Sequence, residues 1–464
     1  MVFSSLTFLF GYLPIVLLLY FIVPMKWRNL VLFLVSLFFY GWGEPVYILI
    51  MIFSILVAYG YGILIDKYRA DDKKARRLLT EAVVVNLLVL GFFKYWDFFA
   101  SNLSAIPGVH VPTFGLSLPI GISFFTFQTM SYIIDVYRKD APVQRNLVSF
   151  GTFVTMFPQL IAGPIVKYKT VAAEIDCREN TMSDFALGAR RFCVGLAKKV
   201  LLANSIGALW DSAAAAQQAG TLTTVGGWLG LLAFSFQIYF DFSGYSDMAI
   251  GMGWMLGFHF EENFNYPYMA ESVTEFWRRW HISLTSWFRQ YLYFPLGGNR
   301  KGEAKTLRNI LIVWFCTGFW HGANWNFMLW GLYFAGWLIL EKYVLRNVLK
   351  KTPCAVKHLY TLIVAVVGWG IFKMEDLRQC GAYLKVCFGG GKFWSAANGY
   401  DLRSYAFTLI VLALASTTLG VNVWKKLPEK VRKIASPVLM IGALVLCTAY
   451  LVDGSYNPFL YFRF

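Results

Sequence analysis

Apolar runs recur along the whole length of this chain, at 6–24, 29–43, 45–65, 81–100, 118–137, 147–163, 193–212, 224–258, 309–341, 358–373, 404–423 and 434–452. Many approach the ~20 residues a helix needs to cross a hydrocarbon core about 30 Å thick. Nothing else constrains the fold as strongly, because backbone polar groups in lipid have no water to bond and must be satisfied internally. The expected fold is therefore all-α and polytopic. Composition agrees: the chain is 58% hydrophobic, 18% aromatic and 15% charged, whereas a soluble protein carries about 25% charged residues. Hydrophobic segments continue from end to end, so one transmembrane domain, 1–464, is the expected organisation.

The formal net charge of +16 does not point to nucleic acid, since no basic region is long enough to track a phosphate backbone. The cations cluster in short loops instead. Residues 66–81 carry Lys67, Arg69, Lys73, Lys74, Arg76 and Arg77 against four acids, which assigns this loop to the cytoplasmic side. Residues 98–134 have no Lys or Arg but include Pro107, Pro112 and Pro119, as suits an outer loop and a returning span. With Lys26 and Arg28 inside, the N-terminus lies outside. Leu6–Val23 lacks a basic leader and a small-residue cleavage site, and is read as an uncleaved first span. Cysteines at 177, 193, 316, 354, 380, 387 and 447 show no C-x-x-C. Neither a disulfide framework nor a metal is expected from that spacing.

Two runs are too long for one simple crossing. Each has a polar interruption, Asp241–Asp247 in 224–258 and Gly322-Ala-Asn324 in 309–341. Broken or polar backbone at membrane depth is tolerated only against protein or a wet cavity. Both interruptions are therefore expected to face inward, which makes Asp241 a candidate substrate contact. Asn309–Leu340 contains no Asp, Glu, Lys or Arg, yet it holds His321. An ionisable group there costs several kcal/mol, roughly, and marks a functional site by default. If the helix continues, Thr317, Asn324 and Trp325 share its face. A neutral imidazole in a low-dielectric site suits a general base. The plainer alternative is a histidine that only hydrogen-bonds across helices.

Residues 271–308 are the most unusual segment. Ser272-Val-Thr-Glu275 matches a capping box, and Phe276, Trp277, Trp280, Leu284, Trp287, Phe288 and Tyr291 recur at helical spacing before Pro295. This predicts an amphipathic helix lying at the cytoplasmic interface, with Arg278 and Arg279 on its polar side. His281 would neighbour Trp277, Arg278 and Thr285 on such a helix. It follows Trp280 as His321 follows Trp320, and the two Trp–His pairs suggest a converging site. Trp277, Arg278, Trp320 and Asn324 are the candidate substrate contacts around them. A metal held by His259, His281 and acids has no ligand spacing such as H-E-x-x-H behind it. Cys316 lies off the His321 face and is a poor nucleophile candidate.

The segments Glu262-Asn-Phe-Asn-Tyr-Pro-Tyr, Thr274-Glu-Phe-Trp-Arg-Arg-Trp-His281, Tyr291-Leu-Tyr-Phe-Pro-Leu-Gly-Gly-Asn-Arg300 and Phe319-Trp-His321-Gly-Ala-Asn-Trp resemble the membrane-bound O-acyltransferase (MBOAT) family. The branch is that of bacterial alginate O-acetyltransferase membrane subunits, related to the D-alanyl-lipoteichoic-acid membrane acyltransferases. Tyr456–Phe464 also fits it, and the resemblance covers essentially the whole chain. It implies an MBOAT fold of about 11–13 membrane helices, including broken or re-entrant and interfacial ones around a central tunnel. It further implies His321 as the catalytic histidine and His281 as the second signature histidine. No tightly bound cofactor is implied. The donor would be acetyl-CoA or an acyl carrier thioester on the cytoplasmic side. An extracytoplasmic SGNH-type acyltransferase or polymer acceptor would be the partner, and a multi-pass bacterial cytoplasmic-membrane location follows. D-alanyl transfer to teichoic acid is the alternative within the family. A transporter of small solutes or lipid-linked sugars is the alternative outside it, because broken spans and buried polar groups suit transporters too.

Overall fold

The computed structural model describes residues 1–161, 163–454 and 459–460, and among them every regular element is a helix. Among the described residues six helices are long and apolar enough to cross a membrane: Ile48–Lys67, Asp72–Ser104, Met182–Gln218, Thr224–Met255, Cys354–Lys373 and Glu429–Asp453. A seventh span results if Ala396–Ala415 and Leu419–Lys426, bent by 70°, count as one. Apart from Phe459 and Leu460, the Tyr456–Phe464 motif lies outside the described residues.

The chain forms two compact units. The first comprises Met1–Gly195, Tyr245–Glu261 and Leu451–Phe464. Its Ile122–Arg138 helix is almost wholly buried, packed on Ile48–Lys67 and Asp72–Ser104. Gly121 starts that helix at φ 73° with its α-carbon against the Leu160 carbonyl, where a Cβ would come to 2.7 Å. Glycine alone adopts this backbone freely. The expected loop 66–81 is largely helix instead, because Asp71 accepts from the Lys74 amide at 3.0 Å and starts the Asp72–Ser104 helix early. The expected span 147–163 is two short helices, Leu147–Thr155 and Phe157–Leu160. Pro158, early in the second piece, can donate no amide to the turn before it.

The second unit comprises Leu196–Gly244 and Glu262–Tyr450. It contains a helical hairpin, Glu303–His321 and Trp325–Tyr343, broken at Gly322–Asn324 as the sequence led us to expect. Its arms cross where Gly318 faces the Phe327 carbonyl and Gly331 faces the Trp314 carbonyl, leaving no room for a Cβ at either glycine. The 224–258 run, by contrast, is one continuous helix, Thr224–Met255. Its polar residues are met laterally rather than by a break. Lys199 reaches Asp241 at 2.5 Å within this unit, and Arg191 reaches Asp247 at 2.9 Å within the first.

The amphipathic segment also departs from expectation. It is Val273–Arg279, then Ile282–Phe288 running into a π-helical turn at Arg289–Tyr293, with a break at Trp280–His281. Its apolar residues are not laid on a surface: Trp277, Trp280, Leu284, Trp287 and Phe288 are buried. Ser272 caps the first piece by accepting from Glu275 at 3.0 Å, while Glu275 returns to the Glu271 amide. That is a shifted capping box. Glu341 takes the next orphan amides, Val273 and Thr274, at 2.6 and 2.8 Å.

Candidate functional site

The second unit brings both candidate histidines into one aromatic cluster. His321 closes the first arm of the hairpin and is 4% exposed. Three rings meet it edge to face: Trp320 at 4.9 Å, Trp330 at 5.1 Å and Phe372 at 5.3 Å between centroids. The same Trp320 lies 6.2 Å from His281, which is 2% exposed and also packs on Phe242 at 4.7 Å. Trp320 is thus a ring neighbour of both imidazoles. Behind them Trp277, Trp280, Trp330 and Trp369 pack on one another at 4.5 to 6.3 Å. The indole N–H groups of Trp277, Trp330 and Trp369 are buried with no acceptor among the described residues.

His281 is not on a helix face. It sits in the break at φ 43°, ψ 55°, a left-handed conformation uncommon for a residue with a side chain. The segment around Asn263 holds it there. Asn263 Oδ1 accepts from the Ser283 amide at 3.3 Å and the Ser283 hydroxyl at 2.9 Å, and lies 3.0 Å from His281 Nδ1. The Ile282 amide donates to the Asn263 carbonyl at 3.0 Å, and the Asn265 amide to the Arg279 carbonyl at 2.9 Å. The donation by the Ser283 amide identifies the Asn263 atom as oxygen, so His281 Nδ1 carries the hydrogen. Nε2 keeps the lone pair. Burial pushes the His281 pKa down to about 3, so the ring is neutral at physiological pH.

The other candidates separate. Trp277 lies in the cluster, and Arg278 beside it is exposed. Arg279 is tied to Glu275 at 2.7 Å. Asn324 begins the second arm, half-buried and without a side-chain cap. Trp325 turns outward at 54% exposure, and Thr317 bonds back to the Val313 carbonyl. Trp325 is not grouped with His321 as continued helical geometry would have it, because the helix ends at His321, whereas Thr317 sits one turn before His321 on the same helix. Asn326 is the buried amide instead, donating to the Ile371 and Phe372 carbonyls at 3.3 and 3.0 Å. Asp241 is engaged by Lys199, both side chains almost fully buried. His259 Nδ1 lies 2.8 Å from Glu174, and His281 Nδ1 lies 3.0 Å from Asn263. Asn263 and Ser283 were not singled out by spacing; the signal was the Glu262–Tyr268 motif, which fixes the loop that fixes His281.

A pocket of about 790 Å³ opens beside the Val273–Arg279 helix. Arg278, Lys342, Arg346 and Lys350 line it and form no ion pair among the described residues. Its acids are committed, Glu271 to Lys357, Glu275 to Arg279 and Glu341 to the helix amides. The pocket therefore presents net positive charge.

A helical membrane protein with two buried, ring-packed histidines at a hairpin turn and a shifted helix break is the class defined by these features. The profile of the membrane-bound O-acyltransferase family matches residues 138–381. "Probable alginate O-acetylase AlgI" of Pseudomonas putida is 39% identical over 492 residues, covering 100% of both chains. "Peptidoglycan O-acetyltransferase" of Helicobacter pylori is 35% identical over 424 residues, covering 84% of this chain and 80% of its own. "Teichoic acid D-alanyltransferase" of Bacillus subtilis is 28% identical over 290 residues, covering 59% of this chain and 70% of its own. The chain belongs to the membrane-bound O-acyltransferase family. It is a multi-pass membrane O-acyltransferase, which decides against the transporter alternative.

Proposed function

We propose that this enzyme moves an acetyl group from acetyl-CoA on the cytoplasmic side toward a hydroxyl of a cell-surface or secreted polysaccharide, with an extracytoplasmic SGNH-type acyltransferase as its partner. The observation that carries the chemistry is the pair of buried imidazoles that share Trp320 as a ring neighbour. His321 acts as general base. It takes the proton of the acceptor hydroxyl as that oxygen attacks the thioester carbonyl, and gives it to the departing CoA thiolate when the tetrahedral intermediate collapses. The products are the acetyl ester and CoA thiol. His281, fixed by Asn263, presents a neutral Nε2 that orients the donor or relays the proton. Trp277, Trp320 and Asn324 shape the path, and the pocket cations, Arg278 among them, meet the phosphates of the donor.

The relatives named for alginate and peptidoglycan O-acetylation align over most of the chain, at 39% and 35% identity. They favour acetyl over D-alanyl transfer, whose namesake aligns at 28% over part of it. Location in a bacterial cytoplasmic membrane follows from this reading. The test is CoA release and acceptor acetylation by the purified protein in detergent. His321→Ala should lower the rate by about 10²–10⁴-fold, the usual contribution of a general base, with unchanged gel-filtration behaviour. A folded His321→Ala variant that keeps wild-type turnover would sink the assignment. Activity with a D-alanyl carrier but none with acetyl-CoA would change the donor.

A further inference from the structure

Cys354 and His358 stand one turn apart, i and i+4, at the start of the Cys354–Lys373 helix and so share a face. Glu271, distant in sequence, reaches the same spot from the segment preceding Val273. One ligand atom from each residue lies within 4.8 Å of the other two, the one such grouping of three or more His, Cys, Asp or Glu among the described residues. Cys354 Sγ is 3.2 Å from Glu271 Oε1, and the Lys357 ammonium holds the other carboxylate oxygen. His358 Nδ1 faces the Ala270 carbonyl at 3.1 Å. A carbonyl only accepts, so Nδ1 carries the hydrogen and Nε2 the lone pair. A backbone partner of this kind is the usual orienting contact of a metal-bound imidazole.

We propose that Glu271, Cys354 and His358 form a divalent transition-metal site that takes zinc. A thiolate, an imidazole and a carboxylate make a mixed donor set suited to a borderline ion; magnesium and calcium prefer all-oxygen shells. Binding balances as follows. The Cys354 thiol releases its proton to solvent as the sulfur–zinc bond forms, Lys357 leaves Glu271, and zinc gives up water to the three protein ligands. A fourth position stays open to water, as in zinc sites with three protein ligands. Glu271 and Lys357 also line the 790 Å³ pocket, so the displaced ammonium joins the cations already there. The sequence hid the site because its two segments are 83 residues apart and only Cys354 and His358 show a spacing. The proposal is independent of the acyl-transfer reading, since its readout is metal content.

Full-length protein purified in detergent, stripped with a chelator and dialysed against zinc, should hold one zinc per chain by elemental analysis. Cobalt substitution should give a thiolate-to-cobalt charge-transfer band. Cys354→Ser should abolish the band, and His358→Gln should weaken binding at least about tenfold. Lys357→Met removes a competing cation without removing a ligand, and should tighten binding. It keeps the test open should either ligand variant fail to fold. Wild-type protein without stoichiometric metal overturns the proposal, as does a cobalt band that persists in folded Cys354→Ser.

Discussion

Single buried groups carry much of the chemistry, and their environments make predictions. The lowered pKa of His281 means that the folded state refuses a proton the unfolded chain accepts. Between the ordinary value of 6.5 and about 3, the unfolded state binds more protons. Stability therefore falls as pH drops below about 6.5, with a slope approaching ~1.4 kcal/mol per pH unit from this group. His281→Asn keeps a residue that tolerates left-handed backbone and should flatten the acid limb of thermal stability in detergent. An unchanged limb would mean that His281 is wetter than its surroundings indicate. Asp241 is a second case. Lys199→Met removes one side of a buried ion pair and should cost about 3–5 kcal/mol, the usual loss when one partner of such a pair is deleted. Lys199→Met with Asp241→Leu should recover most of that loss in the same melting assay. If the single variant melts like wild type, the pair is not stabilising the unit.

At the scale of elements, the hairpin and the broken helix place the histidines, and the sequence revealed them unequally. The hairpin turn was legible because Gly322-Ala-Asn324 interrupts an otherwise apolar run, and polar breaks at membrane depth have few explanations. The Thr224–Met255 helix misled for the same reason: Asp241 and Asp247 look like a break, yet cations from elsewhere in the chain satisfy them without one. Spacing alone cannot name partners 42 and 56 residues away. The break at His281 was invisible to periodicity, since the aromatic stripe runs through it and the Asn263 contacts that stabilise it come from another segment. What remained legible there was the motif itself. Gly331→Ala tests the hairpin. Its methyl would press on the Trp314 carbonyl, a backbone atom that moves only if the arms spread. The expected cost is about 1–3 kcal/mol, as for other overpacked contacts, together with lower turnover because His321 ends the facing arm. A variant with wild-type melting and rate would show that the crossing has slack.

Across the whole molecule, part of the charge excess of +16 gathers at the pocket that the proposed reading gives to the donor. Both histidines and the cationic pocket lie in the second unit, so the donor reading places binding and chemistry in one body of the chain. On that reading the four cations around the pocket would raise the local concentration of a polyanionic thioester, and salt would screen that attraction over a Debye length of about 8–10 Å. KM for acetyl-CoA should therefore rise between about 0.05 and 0.3 M salt while kcat holds, since the charges bind ground and transition states alike. Arg346→Glu with Lys350→Glu should raise KM about tenfold, leave kcat within about twofold and make the salt dependence shallower. Both side chains are exposed, so folding is not at stake. A fall in kcat at constant KM would instead place these cations in the chemical step. An unchanged KM and salt slope would move the donor's phosphates to another surface of the enzyme.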